Sequence, residues 1–163
     1  MTSRKSASAI RLLILDVDGT LTDGRLYYGP RGEALKAFNV RDGYGIKSLG
    51  DVGVQVAVIS GRSSKMVSVR CRELGVQHVI QGAADKVVAF EKLRKKLKIE
   101  ALESACVGDD SPDVPLMKVV RLAFAVADAH REALDAAHVV TKLAGGQGAV
   151  REVCDYLMEA RKP

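Results

Sequence analysis

The chain has 163 residues, of which 47% are hydrophobic and 28% charged, with a formal net charge of +5. These proportions predict one ordinary soluble domain with its own core. They exclude a nucleic-acid platform of stacked bases, because Trp is absent and aromatics make up only 4%. The densest basic patch, Arg94-Lys95-Lys96, is too short for a binding arm and reads as a solvated helix face. A small anionic substrate accounts for the basic excess equally well.

Met1 to Ala9 is polar and small and lacks a hydrophobic signal core, so residues 1–9 are expected to be a flexible N-terminal segment. No apolar stretch approaches membrane-spanning length. Residues 10–163 then form a single domain. Cys71, Cys106 and Cys154 stand far apart, without metal-ligand spacing, and suit reduced buried thiols in the cytoplasm.

Apolar, β-rich runs alternate with helical periodicity along the chain. Strands are expected at Leu12–Val17, Val54–Ile59, His78–Ile80, Ala105–Val107, Leu122–Ala125 and Val139–Val140. Helices are expected at Gly45–Leu49, Ser64–Leu74, Asp85–Leu97, Asp113–Val119, Arg131–Ala136 and Ala149–Ala160. That alternation predicts an α/β architecture with a doubly wound parallel sheet. One stretch departs from it. Leu26 to Tyr28, a Gly29-Pro30-Arg31-Gly32 turn and Glu33 to Phe38 read as a projecting β-hairpin. It is an edge extension of the sheet, a flap, or a protrusion that pairs with other subunits, the last two being favoured.

The chemistry collects at the carboxyl ends of the strands. Asp16-Val17-Asp18-Gly19-Thr20 follows the first apolar run, and alternation lets Asp16 and Asp18 face one side. Two close carboxylates there need a partner, most simply a hard cation such as Mg2+; the plainer alternative is a surface turn. Ser60-Gly61-Arg62 follows the next strand and suits phosphate oxygens at a helix start, or a simple Ser cap. Lys86 opens a helix, where the macrodipole disfavours it unless its ammonium meets an anion; otherwise it is a solvated Lys. Gly108-Asp109-Asp110-Ser111-Pro112-Asp113 adds three carboxylates at one strand end, and helix capping explains only one of them.

These four signals, in this order, resemble the haloacid dehalogenase superfamily of phosphotransferases. The resemblance implies a Rossmann-like haloacid dehalogenase fold and an aspartyl-phosphate mechanism. Asp16 would be the nucleophile and Asp18 the acid and base. Mg2+ would be held by Asp16, Asp109 and the backbone carbonyl of Asp18. Ser60, the Gly61 amide and Lys86 would stabilise the phosphoryl oxygens, with Asp110 and Asp113 in support. No gap between the motifs has room for a cap domain.

Four longer segments narrow the resemblance to the 3-deoxy-D-manno-octulosonate 8-phosphate phosphatase family. They are Lys36 to Ile46, Ser60-Gly61-Arg62, Val126 to His130 and Gly145 to Cys154. By that resemblance Asn39, Val40, Arg41, Asp42, Gly43, Lys47, Arg62 and Arg70 line the substrate site. Lys47 and Arg70 also suit solvated helix surface, and Arg41-Asp42 a local turn pair. Relatives form homotetramers through the hairpin, which makes Tyr27, Tyr28 and Leu35 interface candidates or, more simply, residues packed beneath the flap. Two positions depart from the family: Lys47 stands where Arg is usual, losing the guanidinium fork, and Gln147 sits in a Gly-rich tail that is often basic. In relatives that tail can reach a neighbouring subunit's site. The implied activity belongs to lipopolysaccharide precursor synthesis. The alternatives are a phosphatase of a nine-carbon sialic-type sugar acid phosphate and a non-catalytic phosphatase-like assembly module.

Overall fold

Six parallel strands in the order β5-β4-β1-β6-β7-β8 form the centre of the computed structural model, which describes residues 4–162. The strands are β1 (Leu12–Leu15), β4 (Gln55–Ile59), β5 (His78–Ile80), β6 (Ser104–Gly108), β7 (Leu122–Ala125) and β8 (Val139–Val140). The innermost, β1, is Leu-Leu-Ile-Leu and is buried throughout, because helices cover both faces of a parallel sheet. Those helices include α2 (Val40–Asp51), α3 (Lys65–Glu73), α4 (Lys86–Leu97), α5 (Val114–Met117), α6 (Arg131–Ala136) and α7 (Ala149–Glu159). Phe124 of β7 meets Tyr156 of α7 edge to face, with ring centres 5.5 Å apart, which seats the last helix on the sheet.

The strand positions follow the apolar runs closely, and the differences have local causes. Strand β1 ends at Leu15, two residues early, because the chain turns at the carboxylates; the Asp16 N–H still donates to Val107 O at 3.1 Å. Helix α2 begins at Val40, well before the expected Gly45. Asn39 caps it, accepting from the Arg41 N–H at 2.8 Å. Internal glycines hide this start from a propensity reading, since glycine disfavours helix by ~1 kcal/mol. Packing requires one of them: a Cβ on Gly45 would lie 3.1 Å from the Cys154 Cβ, where α2 crosses α7.

The hairpin is β2 (Tyr27–Gly29) paired with β3 (Gly32–Leu35), shorter than expected at its second arm. It forms its own two-stranded sheet, which removes the reading as an extension of the main one.

The flexible start expected over residues 1–9 is corrected where it is described. Arg4–Ser8 forms one helical turn, α1, and Ala7 is fully buried. The Arg161 guanidinium clamps it, donating to Ala7 O at 3.3 Å and to Ile10 O. Residues 1–3 lie outside the described residues. Arg161 lies far from this segment in sequence, so local polarity alone could not reveal the anchor.

Candidate active site

The carboxyl ends of β1, β4 and β6 open onto one cleft of about 440 Å³. Asp16, Asp18, Ser60, Gly61, Arg62, Lys86, Asp109, Asp110 and Asp113 all line it. Each stands just beyond a strand or at the first turn of a helix, where an open α/β sheet presents its ligand crevice.

Lys86 is the first residue of α4, behind the Asp85 cap. Its ammonium bonds Asp16 Oδ1 and Asp113 Oδ1, each at 2.6 Å. Burial alone would lower its pKa, but Asp16 and Asp113 together hold it above the usual lysine value. The two carboxylates thus offset the unfavourable position of a cation at a helix start. Asp113 is a hub, since its Oδ2 also accepts the amides of Asp109 at 3.0 Å and Asp110 at 3.3 Å. Asp110 is exposed and caps the short turn that follows, accepting from Ser111 N at 2.7 Å.

Asp16, Asp109 and Asp113 each bring an oxygen within 4.8 Å of the others. Burial, then the charge of Asp113, raises the Asp16 pKa. Burial, then Asp16 and Asp113, pushes Asp109 up to about 8. Lys86 neutralises only part of this acidic cluster. An all-oxygen donor set with uncompensated negative charge fits a hard divalent cation such as Mg2+. Asp113 already accepts from Lys86 and two amides, so Asp16 and Asp109 carry the unmet demand.

Ser60 is buried beside this cluster, its Oγ accepting from the Arg62 N–H at 3.3 Å. Gly61 lines the same cleft.

Two residues were not singled out from sequence. Lys36 and Glu33 come from the hairpin, folded back over the cleft. The Lys36 ammonium bonds Asp18 Oδ1 and lies 2.9 Å from Glu33 Oε1. Arg62 reaches the same carboxylates, at 3.5 Å from Asp18 Oδ2 and 3.3 Å from Glu33 Oε1. The hairpin is therefore a flap tied to the site by charge. The sequence signals were that Lys36 opens one of the family-like segments and stands three residues after Glu33, and surface pairs of that kind are common.

The remaining substrate candidates are not brought into the cleft by this chain. Asn39, Val40, Arg41, Asp42 and Gly43 form the start of α2. Asn39 Nδ2 donates to Gly146 O at 3.2 Å, and Asp42 Oδ1 accepts the Arg151 N–H of α7 at 2.8 Å. Asp42 is buried, which raises its pKa despite the amides around it. Arg70 of α3 lies near this start, 3.5 Å from Asn39 O. Lys47 lines a separate cleft of about 300 Å³ with Gln55, Gln77 and His78, at the amino ends of β4 and β5.

The Gly-rich segment does not project as a tail. The Gly145 N–H donates to Asp128 Oδ1 at 2.9 Å, and the Gly146 N–H to Thr20 O at 3.0 Å. A Cβ on Gly145 would lie 1.7 Å from Gly19 O, so this loop rests directly on the backbone of the aspartate motif.

Residues 76–153 match the family model for haloacid dehalogenase-like hydrolases. The chain is 54% identical over 155 residues to the 3-deoxy-D-manno-octulosonate 8-phosphate phosphatase of Escherichia coli K12, covering 95% of this chain and 82% of that one. The crystal structure of the Yersinia pestis phosphatase of the same name superposes with a TM-score of 0.94 at 49% identity, over 97% of this chain and 85% of that one. The Moraxella catarrhalis phosphatase, crystallised with magnesium, phosphate and the sugar acid, superposes with a TM-score of 0.94 at 40% identity, over 97% and 91%.

Proposed function

The chain belongs to the 3-deoxy-D-manno-octulosonate 8-phosphate phosphatase family of haloacid dehalogenase-like hydrolases, and from that membership we propose how its own residues carry the reaction. The activity is Mg2+-dependent hydrolysis of the sugar acid phosphate to the free sugar acid and phosphate, a step toward lipopolysaccharide precursors.

Asp16 Oδ2 attacks phosphorus while Lys86 holds Oδ1, so the nucleophile is fixed in one rotamer. The phosphorus–oxygen bond to the sugar breaks as the aspartyl-phosphate forms. Asp18 gives its proton to the departing sugar oxygen, then takes one from the water that cleaves the aspartyl-phosphate. The Ser60 hydroxyl, the Gly61 amide and the Lys86 ammonium face the phosphoryl oxygens and stabilise their charge. Mg2+, held by Asp16, Asp109 and the Asp18 carbonyl, supplies Lewis-acid charge that lets an anionic nucleophile approach an anionic phosphate. Asp113 orients Lys86 and the backbone of Asp109.

Among the described residues Arg62 is the one guanidinium that lines the cleft, and it is assigned to the sugar acid. Asn39 through Gly43, Lys47 and Arg70 remain substrate candidates only through assembly, which would bring surfaces of separate subunits together. A homotetramer built on the hairpin is part of this proposal, supported by Tyr28 at 65% and Leu35 at 50% exposure. The domain is taken as residues 10–163, with the α1 turn packed against it through Ala7. A cytoplasmic location is supported by three free, buried cysteines. Among the described residues, no helix is long and apolar enough to cross a membrane.

The observation that carries the mechanism is the convergence of Asp16, Lys86 and Asp109 at one cleft. Phosphate release from the eight-carbon ester, measured with Mg2+ and after chelation, tests it together with Asp16→Asn. Both chelation and the substitution abolish turnover; full activity in the variant removes Asp16 as nucleophile.

A further inference from the structure

Asp18 is gripped at both oxygens, and the two grips differ in kind. Arg62, on Oδ2, has a side chain 43% exposed and a contact of 3.5 Å. Lys36, on Oδ1, has a side chain 1% exposed. An ammonium out of contact with water is costly unless its anions are fixed around it. Glu33 supplies the second anion at 2.9 Å and is itself held by Arg62 at 3.3 Å. With Asp18 ionised, before it takes up the proton it delivers, the four groups carry two positive and two negative charges, so the cluster is neutral and closed. Lys36 and Glu33 both belong to the flap, whereas Asp18 belongs to the loop after β1. The flap therefore sets the direction in which the Asp18 carboxyl points.

We propose that Lys36 is a positioning residue, which aims the Asp18 carboxyl at the departing ester oxygen from the buried side of the flap. The inference rests on the reading of Asp18 as general acid. In the step concerned, the Asp16–phosphorus bond forms and the phosphorus–oxygen bond to the leaving group breaks. The departing oxygen takes the Asp18 proton. A misdirected acid harms only those esters whose leaving oxygen needs that proton. p-Nitrophenolate leaves as a stable anion, whereas phenolate, a much stronger base, depends more on protonation. Neither ester carries a carboxylate, so a direct contact between Lys36 and the sugar acid does not enter the comparison.

The experiment measures kcat/KM for p-nitrophenyl phosphate and phenyl phosphate at saturating Mg2+, for the parent, Lys36→Met, Lys36→Arg and Asp18→Asn. Lys36→Met raises the ratio of the two values by about tenfold, a fraction of what general acids commonly supply. Lys36→Arg restores most of the parent ratio, and Asp18→Asn raises it further than Lys36→Met does. An unchanged ratio in Lys36→Met, beside a raised ratio in Asp18→Asn, overturns the role of Lys36 and leaves Asp18 as the acid. An unchanged ratio in Asp18→Asn overturns the reading of Asp18 itself. Should Lys36→Met not fold, Glu33→Gln frees the ammonium from its second anchor and raises the ratio in the same direction; an unchanged ratio there rejects the inference.

Discussion

Lys86 Nζ lies 2.6 Å from Oδ1 of Asp16, across 70 positions of sequence, with both side chains largely buried. The pair leaves the second oxygen of Asp16 as the free nucleophile and places a fixed positive charge beside the phosphorus. A preorganised donor of this kind is worth about 2.7–4 kcal/mol in a transition state. Lys86→Met accordingly lowers kcat by about 100- to 1,000-fold, as read from steady-state phosphate release. A loss below threefold removes Lys86 from the phosphoryl site.

The Gly145 loop rests on Gly19, with no room for a methyl group. Gly145→Ala forces that backbone apart, and overpacking of this sort costs about 1–3 kcal/mol. Because the displaced backbone carries Asp18, the variant also requires more Mg2+ for half-maximal activity. Thermal melting and a Mg2+ titration check the two effects, and an unshifted melting midpoint contradicts the contact.

The metal-free carboxylates set a pH dependence of definite sign. Asp16 is raised, and Asp109 is raised from 3.8 to about 8, burial being the first cause for both. Between roughly pH 4 and pH 8 the folded chain therefore holds more protons at this site than the unfolded chain. Stability of the chelated protein from this source falls as pH rises through that window. Mg2+ requires the ionised carboxylates, so it restores more at the upper end. The Mg2+-induced rise in melting midpoint is larger at pH 8 than at pH 6; the reverse order rejects this site as the cation site.

The flap exposes Leu26, Tyr27 and Leu35 while Lys36 and Glu33 bind at the cleft; Tyr28, also exposed, pairs with Glu33 across the hairpin and accepts from Arg62 at 3.5 Å. An exposed apolar cluster of this kind suits contact with another copy of the chain. Leu35→Glu together with Tyr27→Glu breaks the proposed assembly into a smaller species by sedimentation, and raises KM for the sugar acid phosphate more than for p-nitrophenyl phosphate. An unchanged mass in the double variant rules out the flap as interface.

Asp42 shows how the fold can place a motif residue where its own neighbours in sequence do not announce it. Its place beside Arg41 suggested substrate or a turn pair. The fold buries it and turns it to the first amides of α7, where it caps a helix more than 100 residues away, 109 positions from Arg151. Lys47 shows the same for the opposite end of the sheet. Asp42→Ala costs about 0.5–2 kcal/mol as a lost helix cap.

The strand order of charges, by contrast, was open to reading from the chain itself. Apolar runs of a buried parallel strand end where the polypeptide must leave the sheet, so Asp16, Ser60 and Asp109 had to emerge at one edge. That much is local: period, run length and the residue that follows. Which oxygen Lys86 grips, that Asp113 holds Lys86 and two amides at once, and that Lys36 reaches Asp18 were decided only by folding. The lysine contacts among these join residues 18 to 70 positions apart, and no periodicity reports the distance between side chains that meet through a turn of backbone and a closed flap.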